Sequence, residues 1–274
     1  MTTRASVLAY SGASSLRRDD ALSEEEPLEI QVGGVPIAVV MRTPGHDAEL
    51  AVGFLVTERV VHEARDVVSA RHCSTVRDPE SEENVMRIVL REGIDPPLEQ
   101  LRRNTYASSS CGVCGKASIE SVMATGGPIS RGDVTTTAVL YGLPDELRRA
   151  QRGFDATGGL HAAGLFDTGG KMLLVREDVG RHNAVDKVVG AHVLASGSFD
   201  DTILLVSGRI SFEIVQKAAA ARIALVAGIS APTSLAVRAA DALAITVVGF
   251  LRGETMNVYT RPERVLAPRR DESP

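Results

Sequence analysis

Thr202-Ile203-Leu204-Leu205-Val206-Ser207-Gly208-Arg209-Ile210-Ser211-Phe212-Glu213 is the stretch whose reading decides the fold. Five residues of nearly unbroken apolar character predict a strand buried on both faces, and the small polar loop after them opens a helix from about Ser211 to Arg222. The same grammar lies on either side. Met172–Val175 leads into Gly180-Arg181-His182 and a helix with Val185, Val188 and Val189 on one face. Ile223–Val226 leads into Gly228–Pro232 and a helix aligning Leu235, Ala239 and Leu243, and Ile245–Leu251 reads as the last core strand. Three strand-to-helix alternations predict an α/β domain with a largely parallel sheet covered on both faces. Its helix N-termini gather at one edge, which makes that edge the default crevice for an anionic ligand. Taken singly, those Gly and Ser residues also read as ordinary caps and turns.

The first half has another rhythm. Leu28–Val32 and Ile37–Met41 flank Gly33-Gly34 and predict a hairpin. Thr43-Pro44-Gly45-His46-Asp47 then introduces a helix bearing Leu50, Phe54 and Leu55, and two further strands are expected at Val67–Ala70 and Val85–Leu90. The chain therefore divides into an extended leader (1–26), a β-rich α+β domain (27–125), an α/β domain (126–267) and a short tail (268–274). The β-rich domain ends, after Arg102-Arg103-Asn104, in a loop that carries Ser108-Ser109-Ser110-Cys111-Gly112-Val113-Cys114-Gly115-Lys116.

Composition narrows the class. Of 274 residues 44% are apolar and 24% charged, which excludes disordered, collagen-like and coiled-coil chains. The longest nearly apolar run, Ala242–Leu251, falls short of the ~20 residues of a membrane-spanning helix. A net charge of −5 argues against nucleic acid or an anionic membrane as a broad partner. Three cysteines are too few for a disulfide scaffold, and with no signal-peptide pattern the expected location is cytoplasmic.

A single C-x-x-C can be half a zinc site, a thiol–disulfide couple, or a loop presenting one nucleophilic thiolate. Zinc wants four ligands, and Cys73, His72 and His161 offer none at a ligand spacing. A thioredoxin-type couple should follow a strand, whereas Ser and Asn precede this motif. The Ser/Gly frame suits a presented thiolate better, with Lys116 and the start of a short helix over Ala117–Met123 favouring the ionised form of Cys111. The plain alternative is a pair of small buried cysteines.

Ser109–Lys116 resembles the signature of the formate dehydrogenase accessory sulfurtransferase family, FdhD/NarQ. Thr43–Leu55, Glu177–Lys187, Ser207–Glu213 and Val248–Glu254 resemble family segments in the same order, so the likeness runs from about Pro27 to Pro262. The resemblance implies a sulfur carrier on which Cys111 accepts sulfur from a cysteine desulfurase as a persulfide. The carrier then passes it to a molybdenum or tungsten cofactor, bis(molybdopterin guanine dinucleotide), before that cofactor enters the catalytic subunit of formate dehydrogenase. It places the cofactor-binding segment at Phe250, Leu251, Arg252, Gly253, Glu254 and Thr255, where Glu254 sets a charge against Arg252. It also implies a homodimer, and the shortage of ligands at zinc spacing leads to the expectation of no protein-bound zinc. Cys114 would assist Cys111, Cys73 would be structural, and Arg181, Arg209 and His161 are weaker candidates for cofactor contact by chemistry alone. The other reading is a zinc-stapled module that delivers cofactor without handling sulfur.

The family's second domain is similar in fold to the cytidine deaminases, a three-layer α/β/α arrangement, which raises deamination as a rival. That chemistry needs H-x-E and P-C-x-x-C. Here His182 is followed by Asn183 and Ala184, and the next helix opens with Ser211-Phe212-Glu213-Ile214, so neither zinc nor a catalytic glutamate has its place.

Overall fold

The computed structural model describes residues 2–73, 83–97, 101, 127–130 and 134–267. The chain begins with a hairpin of β1 (Thr2–Ser11) and β2 (Ser14–Ser23) that turns on Gly12-Ala13. Gly12 sits at φ 59, as a two-residue turn with glycine in first place demands. The expected leader is thus extended in its backbone, and from Thr2 to Ser23 it is paired with itself. That pairing is hard to read because no apolar run in it exceeds Val7–Tyr10.

β3 (Glu26–Val32) and β4 (Val35–Arg42) make the hairpin expected around Gly33-Gly34. With β5 (Val67–His72) and β6 (Val85–Leu90) they form a mixed sheet in the order β4-β3-β6-β5. α1 (Asp47–Thr57) packs on it, and from Leu50 to Thr57 every residue is buried, as in a helix enclosed on all sides.

The second half continues with β7 (Thr135–Thr136), α2 (Thr137–Ala150), α3 (Arg152–Thr157), β8 (His161–Asp167), β9 (Met172–Asp178), α4 (Arg181–Leu194), β10 (Thr202–Val206), α5 (Phe212–Ala220), β11 (Leu225–Gly228), α6 (Ser234–Ala242), β12 (Thr246–Arg252), β13 (Thr255–Thr260) and β14 (Val265–Leu266). Six of these strands form one sheet, ordered β13-β12-β11-β10-β8-β9. Leu165, Leu204, Val206 and Val226 meet Val185, Val215 and Ala236 of α4, α5 and α6 on one face. Phe166, Ile203, Leu205 and Leu225 meet Leu140, Leu143 and Leu147 of α2 on the other. The three-layer α/β/α arrangement is present, but the sheet is mixed rather than largely parallel. Only β10-β11-β12 pair in parallel, while β8 and β13 run against their neighbours. β12 is the last buried strand of this sheet, and after it the chain reverses at Gly253 into the edge strand β13, which the sequence reading does not include.

α1 also packs on α4, so one apolar core runs from the first sheet through both helices to the second sheet. A Cβ on Gly53 would fall on the Asp186 carbonyl and one on Gly190 on the Glu49 carbonyl, so these helices meet backbone to backbone. Around that crossing the charged side chains find partners. Lys187 Nζ reaches Asp178 at 2.7 Å and donates to the Thr43 carbonyl at 2.8 Å. Lys217 Nζ donates to both Asp186 oxygens at 2.8 and 2.7 Å, and the Thr57 hydroxyl adds a bond to the same carboxylate. Arg176 grips Glu49 through two nitrogens. In the first unit, Arg42 does the same to Asp47.

Candidate functional site

β9, β10, β11 and β12 end at one edge of the large sheet, and α4, α5 and α6 start from it. The loops there are tied together by backbone hydrogen bonds. Ile229 N donates to Val206 O, Ile210 N to Ala231 O and Thr233 N to Ile210 O, all at 3.0–3.2 Å. Thr233 caps α6 through its hydroxyl, which accepts from Ala236 N.

The segment Phe250–Thr255 abuts the same loops. Phe250 N donates to Ser230 O at 3.1 Å, and Arg252 Nε donates to Ile229 O at 3.0 Å. Gly249 makes this docking possible, since a Cβ there would stand 2.7 Å from Pro232 Cδ and 3.1 Å from the Tyr259 ring. The Leu251 side chain is buried in the core under α2, so of the expected cofactor-binding residues it is the one whose side chain serves packing. Arg252, Gly253, Glu254 and Thr255 are exposed. Phe250 is unusual: the residue is 43% exposed while its backbone holds φ 53 within an irregular stretch of the β12–β13 ladder. Left-handed backbone at a bulky residue is a stored strain of the kind concentrated at functional sites.

At the same sheet edge a polar cluster is drawn from three elements. His161 begins β8, Arg181 and His182 begin α4, and Ser211 and Glu213 begin α5. The imidazole of His161 and the stem of Arg181 flank Gly208, where a Cβ would lie 3.4–3.6 Å from both. His182 Nε2 is 3.3 Å from Ser211 Oγ and 3.9 Å from a Glu213 oxygen. Burial, then the charges of Lys217 and Arg181, push the His182 pKa down to about 4, so this imidazole is neutral at physiological pH. His161 is lowered as well, by burial and then by Arg181. Burial works to raise the Glu213 carboxyl. Hydrogen bonds from Ser211 and its own N–H, with the charges nearby, outweigh it and hold the group below its usual range. Arg181 Nε is a buried donor with no hydrogen-bond partner. The crevice therefore combines a neutral imidazole, a carboxylate, a guanidinium and a hydroxyl, of which the Arg181 guanidinium with its unpartnered donor is the group suited to an anion. Among the described residues no three His, Cys, Asp or Glu side chains are placed to hold a metal ion.

Cys111, Cys114 and the helix expected over Ala117–Met123 lie outside the described residues. Of the weaker candidates, His161 and Arg181 come together at Gly208, while Arg209 is exposed on the same loop. Cys73, expected to be structural, is buried at the end of β5, and its N–H donates to Val85 O. No sequence pattern announces the contact of His182 with Ser211 and Glu213. Its only trace in the sequence is that all three residues follow strand ends predicted to share one edge. Asn183, in the middle of the His-Asn-Ala triplet, donates to Met41 O and Asp178, and Ala184 is in the core, so neither side chain faces the crevice as a catalytic group.

A sequence model of the FdhD/NarQ family matches residues 23–266. The curated protein named sulfur carrier protein FdhD from Mycolicibacterium paratuberculosis is 47% identical over 269 residues, covering 97% of this chain and 99% of its own length. Its namesake from Mycobacterium tuberculosis is 48% identical, covering 96% and 98%. Among solved structures, a protein described as a candidate formate dehydrogenase accessory protein from Desulfotalea psychrophila shares the fold, with a TM-score of 0.76 at 22% identity, covering 97% of this chain and 99% of that one.

Proposed function

Because this chain belongs to the FdhD/NarQ family, we propose that it is a sulfur carrier serving formate dehydrogenase, a sulfurtransferase with Cys111 as its carrier thiol. The Cys111 thiolate attacks the terminal sulfur of a cysteine desulfurase persulfide. The sulfur–sulfur bond of the donor breaks, the donor cysteine leaves as thiolate, and Cys111 holds the persulfide. The acceptor is a substrate rather than a resident group: the molybdenum bis(molybdopterin guanine dinucleotide) cofactor, loaded before it enters the catalytic subunit of formate dehydrogenase. The carrier works in the cytoplasm as a homodimer.

One observation supports the acceptor's size and charge. Phe250–Thr255 is stitched to the loop after β11, at the edge where the N-termini of α4, α5 and α6 gather beside Arg181. Oriented N–H groups and a guanidinium suit pyrophosphate, and an exposed aromatic ring suits a purine. His182 and Ser211 start α4 and the turn before α5 at the same edge, where a neutral imidazole and a hydroxyl can hydrogen-bond polar groups of the cofactor.

The test is an intact mass after incubation with a cysteine desulfurase and cysteine. A thiol-labile gain of one sulfur atom is expected in the wild type and is absent from Cys111→Ala. An adduct that survives that substitution overturns the role of Cys111. Stoichiometric zinc that disappears in the variant, with no adduct in either protein, instead supports the zinc-stapled delivery module.

A further inference from the structure

We infer that Arg181, His161 and the first turn of α4 form a seat for a phosphoryl group over Gly208, an assignment that rests on the proposed acceptor only for the source of that group. The seat is visible first as a missing partner. Arg42 and Arg176 each grip a carboxylate through two nitrogens, Arg91 reaches Asp66, and Arg264 is held by the carbonyls of Ala224, Ala244 and Ile129. Arg181 is half-buried, and among the described residues it pairs with no carboxylate, while its Nε is a buried donor with no acceptor. A donor removed from water without gaining an acceptor is destabilising, and an anion that binds there removes that cost.

The nearby carboxylates are engaged elsewhere. Asp178 takes Lys187, the N–H groups of Thr43 and Gly180, and the Asn183 amide. Glu213 accepts from the Ser211 hydroxyl and from its own N–H, so a carboxylate of the protein already occupies the start of α5. The start of α4 has no such group. Its N-cap is Gly180, which offers no side chain, and its first turn carries no acid. α4 runs for 14 residues, so its N-terminal N–H groups carry the full partial charge of a helix end. Of two helix starts at one crevice, the protein fills one itself and leaves the other to a ligand.

Gly208 supplies the opening. A Cβ on it would lie 3.4 Å from His161 Nδ1, 3.5 Å from His161 Cε1 and 3.6 Å from Arg181 Cδ, all ordinary contacts, and its backbone is not left-handed. The fold therefore tolerates alanine here, and glycine leaves a methyl-sized gap between an imidazole and a guanidinium stem. Donors approach that gap from three elements: β8 with His161, the Arg181 side chain, and the first-turn N–H groups of α4. A carboxylate is satisfied by a guanidinium fork alone, whereas a phosphoryl group has three oxygens to share among such donors. Arg252 makes a poorer seat. It is exposed, spends its Nε on the Ile229 carbonyl, and has Glu254 two residues on.

Calorimetry on the full chain with inorganic pyrophosphate tests the seat. The wild type should bind it, and Gly208→Ala should weaken binding about tenfold or more with an unchanged circular dichroism spectrum, because its methyl fills the gap. Arg181→Gln should weaken it to a similar degree, and Arg252→Gln by less than about threefold, as for an exposed charge. A wild type that does not bind pyrophosphate overturns the seat, as do Gly208→Ala and Arg181→Gln variants that bind like the wild type. A loss confined to Arg252→Gln also overturns it, moving the anion to Phe250–Thr255 and leaving the proposed acceptor standing. GDP and guanosine separate the sources of the phosphoryl group. GDP that binds more tightly than pyrophosphate and is weakened by Gly208→Ala, with guanosine indifferent to that change, assigns the seat to a nucleotide diphosphate. GDP that binds no more tightly than pyrophosphate keeps the seat for free phosphate and removes the nucleotide from the proposed function.

Discussion

Two regions of the molecule draw on the same eleven residues, Glu177–Lys187, and treat them oppositely. Asp178, Asn183, Asp186 and Lys187 are buried against α1 and β4, each matched to a named partner. Arg181 and His182, at the first turn of α4, look into the crevice, where Arg181 keeps an unsatisfied donor and His182 a neutral ring. Helix phase makes the division: positions 183, 186, 187 and 190 share the face that crosses α1, while the first turn ends at the sheet edge. Charge density in a motif therefore says little about chemistry until the partners are known. Saturated groups hold the layers together, and unsaturated ones are available to a ligand.

The largest expected effect breaks the saturated side. Lys187→Ala strips the buried Asp178 carboxylate of its cation and should cost about 3–5 kcal/mol in urea unfolding, the penalty for orphaning a buried charge. Adding Asp178→Asn removes the orphan, so the double variant should be more stable than Lys187→Ala alone. A single-variant loss under about 1 kcal/mol is what an exposed pair would give, and it would remove the contrast between the two regions.

The second prediction sharpens the crevice side. His182 titrates near pH 4 when folded against 6.5 ordinarily, so between those values the unfolded chain binds a proton that the folded one refuses. The contribution of neutral His182 is complete above pH 6.5 and is lost as pH falls towards 4. His161 is shifted the same way and adds to the slope, whereas the lowered Glu213 carboxyl contributes its loss only below its ordinary value of 4.5. The urea midpoint of His182→Gln should therefore fall less steeply than that of the wild type from pH 6.5 to 4.5, and the two should run parallel above pH 7. Equal slopes throughout would mean that His182 is solvated and the crevice is open.

What the sequence made legible follows from how each element is held. β10, β11 and β12 are buried on both faces, so each announces itself as an apolar run, and the turns after them carry Gly, Ser or Thr caps. β8 is hidden because it begins His161-Ala162-Ala163-Gly164. Gly164 is small since a Cβ would lie 2.8 Å from the Phe166 ring and 3.0 Å from Leu147. α2 carries Gly142 and Pro144 in its interior, two residues that normally argue against a helix, and is held by Leu140, Leu143 and Leu147 in the core. β13, an edge strand, only alternates. The gathering of helix N-termini at one edge follows from strand order and could be read. The approach of His182 to Ser211, 29 residues away, could not, because no local pattern encodes a contact between two helix starts.

The smallest expected effect on stability lies at the strained residue between the two regions. Left-handed backbone costs an L-residue about 1–2 kcal/mol, and Gly is free of that cost while losing chain entropy of similar size. Since Phe250 is 43% exposed and the relief of strain offsets the packing it loses, Phe250→Gly should change stability by no more than about 1 kcal/mol in either direction. If the ring stacks on a guanine, the same change removes about 1–3 kcal/mol of binding, a loss of roughly fivefold to over a hundredfold in affinity for GDP as a probe, measurable by calorimetry. Phe250→Tyr should keep both quantities, since it retains the ring. A variant that loses stability and keeps its GDP affinity would assign the strained ring to packing, and with it the idea that unsaturated, strained positions mark the ligand edge would fail at its most exposed member.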